Sequence, residues 1–109
     1  MTGLDELIGR LEKATAGSPA LDHEISVATG RGTIGVPALT NSVDAMLRLC
    51  DMDFPGASRD SMSTIVDGKR HHLWKLWLSG LDWVEGAAAT DALALALAFV
   101  RALTAQKTG

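Results

Sequence analysis

The sequence predicts a single α+β domain: a small antiparallel sheet of two or three strands, with N-terminal helices before it and a buried C-terminal helix packed on it. Three observations carry this. The stretch Thr90–Ala105, TDALALALAFVRALTA, is the most apolar in the chain and is built from the strongest helix formers. Asp67-Gly68 stands between two β-prone runs and is the strongest short hairpin signal. Three helix-prone segments precede that hairpin, so the element order reads α-α-α-β-β-(β)-α.

The totals bound the function. A chain of 109 residues is one domain spanning 1–109, large enough to bury roughly two-thirds of its unfolded surface. A net charge of −3 argues against a nucleic-acid or anionic-membrane surface unless charge is strongly segregated. One cysteine, Cys50, excludes an internal disulfide and fits a reducing compartment. The opening MTGLDELIGRLEKA has early acidic residues and no apolar h-region, so it does not read as a secretory signal. The closing helix is shorter than the roughly 20 apolar residues a membrane span needs. A soluble, cytoplasmic protein is expected.

The first helix opens at Thr2, with Leu4, Leu7, Ile8 and Leu11 on one face, and ends at Ala16-Gly17. Ser18-Pro19 starts the second at once, serine capping and proline in the tolerated first position, and Gly30 follows its end. Arg31–Val36 is a glycine-rich connector lacking the GxxxxGK[ST] phosphate-loop pattern. A third helix is expected over Pro37 to Asp51, capped by Thr40 or Asn41, with Val43, Met46, Leu47 and Cys50 inward. Asp51–Asp60 reads as loop, Ser61–Asp67 as the first strand and His71–Leu78 as its return. A two-residue turn would pair Val66 with Lys69, Thr64 with His71 and Met62 with Leu73. Trp74, Leu76 and Leu78 fall on one face of the second strand and Leu73 and Trp77 on the other, as expected if helices cover much of both faces. After a turn at Ser79-Gly80, Leu81–Glu85 is a third strand candidate, and Gly86–Ala89 leads into the closing helix. There Leu93, Ala96, Leu97, Val100 and Leu103 share a face. Ala94, Ala98, Ala102 and Ala105 form a second face, suited to a close neighbour such as the first helix or a second subunit.

No residue set rises to a catalytic, cofactor or metal site. His71 and His72 are adjacent in a strand and point to opposite faces, so they cannot share one ion. Cys50 lies toward the buried side of its helix, where a small hydrophobe rather than a nucleophile is expected. The carboxylate pairs Asp51/Asp53 and Asp5/Glu6 resemble solvated ends and loops. The constellation that stands out is Lys69-Arg70-His71-His72 with Trp74, Lys75 and Trp77. Basic residues interleaved with aromatics can hold nucleic acid by phosphate contacts and stacking, and the last five elements follow the α-β-β-β-α order of double-stranded-RNA-binding domains. Those domains carry lysines at the start of the final helix, however, where this chain has Ala89-Thr90-Asp91-Ala92. The surface singled out is Lys69, Arg70, His71, Leu73, Lys75 and Trp77.

Three segments, GLDELIGRLEKATAGSPALDHEISVATG, PALTNSVDAMLRLCD and AATDALALALAFVRAL, together resemble the small phage and prophage proteins grouped as the phage ABA sandwich domain family. There a GLDxLIxRLExA opening, a SLDAAL-like helix and a TPALALxxAAL-like ending recur. The match covers about half the chain; Asp91 stands where the family tends to have proline. The resemblance implies an α-β-α sandwich and a phage origin, and brings no activity or catalytic residues. The function expected is that of a non-enzymatic phage or prophage accessory protein in the host cytoplasm. It would act through contact with a host or phage protein or as a homo-oligomer. A nucleic-acid-binding module using the Lys69–Trp77 hairpin is the alternative.

Overall fold

The computed structural model of the chain describes residues 3–32, 34–78 and 83–108. It contains α1 (Gly3–Lys13), α2 (Pro19–Ala28), a 3-10 turn (Leu39–Asn41), α3 (Val43–Asp53), strands β1 (Ser58–Val66), β2 (Lys69–Trp77) and β3 (Trp83–Ala88), and α4 (Asp91–Thr108). The strands form one antiparallel sheet in the order β1-β2-β3. This is the expected α+β class, with N-terminal helices and a C-terminal helix on the sheet. The layers run sheet, then α4, then the N-terminal helices: α4 contacts β2 and β3, and α1 and α3 lie against α4.

Local chemistry explains the helix ends. The Ser18 hydroxyl accepts the Leu21 N–H at 3.2 Å to cap α2, and Pro19 occupies its first turn. At its far end Gly30 N–H reaches the Val27 carbonyl and Arg31 N–H the Ser26 carbonyl, the paired bonds of a Schellman motif. Thr90 caps α4 through the Leu93 N–H at 3.2 Å. The cap expected of Thr2 and the turn expected at Ser79-Gly80 lie outside the described residues, as do the first residues of the Leu81–Glu85 candidate.

Helix α1 ends at Lys13, short of Ala16-Gly17, and α4 runs on to Thr108. Three further boundaries differ from expectation for a tertiary reason. The third helix starts at Val43, capped by the Ser42 hydroxyl on Ala45 N–H, not by Thr40 or Asn41. Thr40 is committed elsewhere: its N–H and hydroxyl both donate to the buried Asp22 carboxylate, at 2.7 and 2.6 Å, tying α2 to the 3-10 turn. Strand β1 begins at Ser58, three residues before Ser61, because Arg59 is held by Asp51 of α3 at 2.7 Å and pairs across from Leu76. Gly86, Ala87 and Ala88 continue β3 instead of leading into α4. A Cβ on Gly86 would lie 2.4 Å from the Ala94 carbonyl oxygen and 2.5 Å from the Ala98 nitrogen, so α4 crosses this strand at backbone contact. At Ala94 and Ala98 the closest approach is therefore to β3, and α1, the neighbour expected in the chain, also lies against α4.

The hairpin register is the expected one: Val66↔Lys69, Thr64↔His71 and Met62↔Leu73. Asp67 and Gly68 have φ of 52° and 77°, the left-handed pair that a type I′ turn requires. Gly68→Val is expected to cost about 1–2 kcal/mol, because a β-branched residue resists this conformation, while Gly68→Asn is mild. Urea denaturation checks this, and equal midpoints for the two variants would contradict the turn assignment.

Candidate interaction surface

Strand alternation sorts the sheet into two faces. Trp74, Leu76 and Leu78 point toward α4, with Val84, Gly86 and Ala88 beside them. Here Asp91, in the first turn of α4, accepts from the Trp74 indole at 3.1 Å and faces the His72 ring at 3.1 Å. His72 is thus engaged inward and His71 outward, on opposite sides as expected.

The other face is bare. The expectation that helices cover much of both faces does not hold: among the described residues no helix lies over the outer side. The register builds that side as rows across the strands: Ser58, Trp77 and Trp83; Asp60, Lys75 and Glu85; Met62, Leu73 and Ala87; then Thr64 and His71. Met62, Trp77 and Trp83 are 50%, 38% and 52% exposed. The Lys75 ammonium sits 5.7 Å from the Trp83 ring centroid, within cation–π range.

Of the six residues singled out from sequence, Lys69, His71, Leu73, Lys75 and Trp77 share this outer face. Arg70 alternates to the opposite side, across from Ile65 near the hairpin tip. Two members were missed. Met62 was legible from the Asp67-Gly68 register, which already placed it opposite Leu73. Trp83 was not, because its facing depends on how β3 pairs with β2 beyond the connection.

The remaining polar groups hold the structure together. Asp51 and Asp53, a candidate carboxylate pair, each bind an arginine: Asp51 to Arg59, and Asp53 to Arg31 through two bonds of 2.7 and 3.2 Å. The Arg31–Asp53 pair ties the glycine-rich connector to α3, and the Ser26 hydroxyl donates to the Gly32 carbonyl at 2.5 Å. Burial pushes the Cys50 thiol up to about 12, so at neutral pH it carries almost no thiolate, the nucleophilic form. A cleft of about 270 Å³ lies between the end of α2, the connector and α3, lined mainly by Ile34, Val36, Leu39, Leu49 and Met52. Among the described residues no cluster of His, Cys, Asp or Glu could hold a metal ion, and no helix is long and apolar enough to cross a membrane.

These features define a small α+β domain that presents one uncovered, aromatic-bearing sheet face. No protein-family model, curated protein or solved structure matches the chain.

Proposed function

We propose that this is a non-enzymatic accessory protein that works by protein–protein contact through the outer face of its sheet. In keeping with the resemblance of its helical segments, we place it among phage or prophage proteins acting in the host cytoplasm. The observation that carries the contact reading is the exposure of Trp77, Trp83 and Met62 on one face beside Leu73. Tryptophan and methionine are the residues that protein interfaces concentrate, and tryptophan dominates their energetics. An antiparallel sheet with one solvated face ordinarily places polar residues there.

The same register weakens the nucleic-acid alternative. Lys75 is flanked across the strands by Asp60 and Glu85, so the middle of the face is charge-balanced rather than basic. Arg70 is on the other side. Phosphate-driven binding needs cations that act together.

The test compares wild type with the Trp77→Thr, Trp83→Thr double variant as bait in lysate of the host bacterium. Threonine suits a strand, and neither indole is buried, so the variant should remain folded. Wild type is expected to retain a protein that the double variant loses; equal retention by both would sink the reading. In parallel, fluorescence anisotropy with duplex RNA and DNA is expected to show no binding tighter than roughly 10 μM at physiological salt. A submicromolar, salt-sensitive complex abolished by Lys69→Glu with Arg70→Glu would replace protein contact with the nucleic-acid reading.

A further inference from the structure

We propose that the free edge of β1 pairs antiparallel with β1 of a second copy of this chain, about a two-fold axis passing at Met62, giving a continuous six-stranded sheet. This goes beyond the outer-face reading, since the strand edge is a separate surface and can fail or hold independently.

The edge is long and unguarded. Strand β1 is hydrogen-bonded on one side only, to β2, over nine consecutive residues without an interruption of register. Natural proteins block such edges with short strands, prolines, bulges or inward charges. SRDSMSTIV has no proline or bulge, and its charges, Arg59 and Asp60, sit together at one end. Arg59 is moreover drawn off to Asp51. Helix α4 lies over β2 and β3, so every described side chain of β1 is exposed, including Ile65 at 68% and Met62 at 50%, on opposite faces. Two large apolar side chains exposed on the two faces of one edge strand fit a strand that acquires a neighbour.

The hairpin dictates which backbone groups are free. In a two-residue hairpin the closing pair, Val66 and Lys69, exchanges hydrogen bonds, and hydrogen-bonded pairs then recur at every second position. Thr64, Met62, Asp60 and Ser58 therefore direct their N–H and C=O groups toward β2. Arg59, Ser61, Ser63 and Ile65 direct theirs outward; the Ser61 N–H is met by the exposed Asp60 Oδ1 at 2.9 Å, a local contact that pairing exchanges for the carbonyl of the facing strand. A second copy can meet those outward groups in antiparallel fashion only through a two-fold axis perpendicular to the sheet, because an isologous contact uses the same edge twice. The register that engages all four outward residues is centred on Met62. It sets Arg59 against the partner's Ile65, Ser61 against the partner's Ser63, Asp60 against the partner's Thr64, and Met62 against its own counterpart. No like charges oppose, and the apolar part of the Arg59 side chain lies along the partner's Ile65. The axis also keeps like faces together, so the two outer faces merge into one surface with the tryptophan pairs at its far ends.

Light scattering at 10 and 200 μM is expected to give about twice the 11.5 kDa chain mass, at least at the higher concentration. The register is read by crosslinking. Residues at a non-hydrogen-bonded antiparallel pair sit about 4.5 Å apart at Cα, within disulfide range. Met62→Cys should thus give a disulfide-linked dimer on mild oxidation with copper–phenanthroline. Thr64→Cys should not, because the two copies of position 64 lie four residues apart along the ladder, roughly 13 Å. Cys50 is buried and stays out of the reaction. Ser63→Pro removes an outward N–H that β2 does not use, and edge strands tolerate proline there. Ile65→Lys, at an exposed position, faces the partner's Arg59 twice across the axis. Both variants should run as monomers with unchanged far-UV circular dichroism. The pairing is overturned if wild type remains a monomer at 200 μM, if the dimer survives in both variants, or if Thr64→Cys crosslinks as readily as Met62→Cys. A wild-type monomer whose β1 amides gain hydrogen-exchange protection only with a different protein would assign the edge to that protein instead.

Discussion

Gly86→Val is expected to destabilise the domain by about 3 kcal/mol or more, at or above the upper end of the usual cost of overpacking a core. Gly86 is buried on β3, across from Trp74. The atoms its Cβ would meet are the Ala94 carbonyl oxygen and the Ala98 nitrogen, at 2.4 and 2.5 Å. Both belong to the backbone of α4, which cannot rotate aside as a flexible side chain can. The helix would have to lift off the sheet, and every contact of its alanine face would loosen with it. Even Gly86→Ala should lower the melting temperature by several degrees, since each kcal/mol is worth roughly 4–8 °C in a domain of about this size. Gly9 provides the internal contrast. It lies inside α1 with nothing within 4 Å of a built Cβ, so Gly9→Ala should stabilise by roughly 0.5–1 kcal/mol through helix propensity alone. Thermal melts of the two alanine variants should move in opposite directions. A shift of the same sign would mean that α4 does not cross β3 at Gly86.

That crossing also shows where sequence reasoning reached and where it stopped. Signals that act over two to four residues were legible: the Ser18-Pro19 start of α2, the Thr90 cap of α4, and the Asp67-Gly68 turn with the register it imposes. Each works through one side chain or one backbone conformation, so no tertiary knowledge is needed. The approach of β3 to α4 was not legible. Small residues in a helix announce that something comes close, yet Gly86–Ala89 reads as the lead into α4, glycine and alanine being depleted in strands. The tertiary contact overrides that propensity, since only a residue without a side chain permits it. Thr40 is a similar case. Its cap-like position before α3 was visible, but its bond to Asp22, 18 residues earlier, was not.

The candidate surface divides along the same line. The sequence groups Lys69, Arg70, His71, Leu73, Lys75 and Trp77; in the strand register five of them share the outer face, and Arg70 alternates to the other side. Exposure was the harder quantity. In the sequence, Trp74 and Trp77 look alike, three residues apart in one strand. Trp74 donates to Asp91 beneath α4, whereas Trp77 is 38% exposed on the bare side. Which of the two faces receives α4 depends on the handedness and length of the β3–α4 connection, and no local residue encodes that.

Phe99→Ala is expected to cost about 3–5 kcal/mol, the range for removing a large aromatic from a core. Phe99 is fully buried, and its ring meets Phe54 edge-on, with centroids 5.6 Å apart and planes at 74°. Phe54 is the C-cap residue of α3, so this contact fastens the end of α3 to the middle of α4. The loss would be a large part of the 5–15 kcal/mol that holds a typical domain. Its distribution over the molecule matters as much as its size. Residues Leu93 through Val100 are all at most 1% exposed, because α4 has the sheet on one side and the N-terminal helices on the other. Among the described residues α4 is the main apolar surface for both outer layers, with α1 adding a smaller contact to β3. Loosening α4 at Phe99, on the helical side, should therefore release the sheet as well. All three tryptophans lie on β2 and β3 and report on the sheet, while circular dichroism at 222 nm reports mainly on the helices. In Phe99→Ala the two signals should move to a lower urea concentration together and remain superimposed, as a two-state transition requires. If the helical signal shifted while tryptophan fluorescence kept the wild-type midpoint, the sheet would be stable without α4, and the layering argument would be wrong.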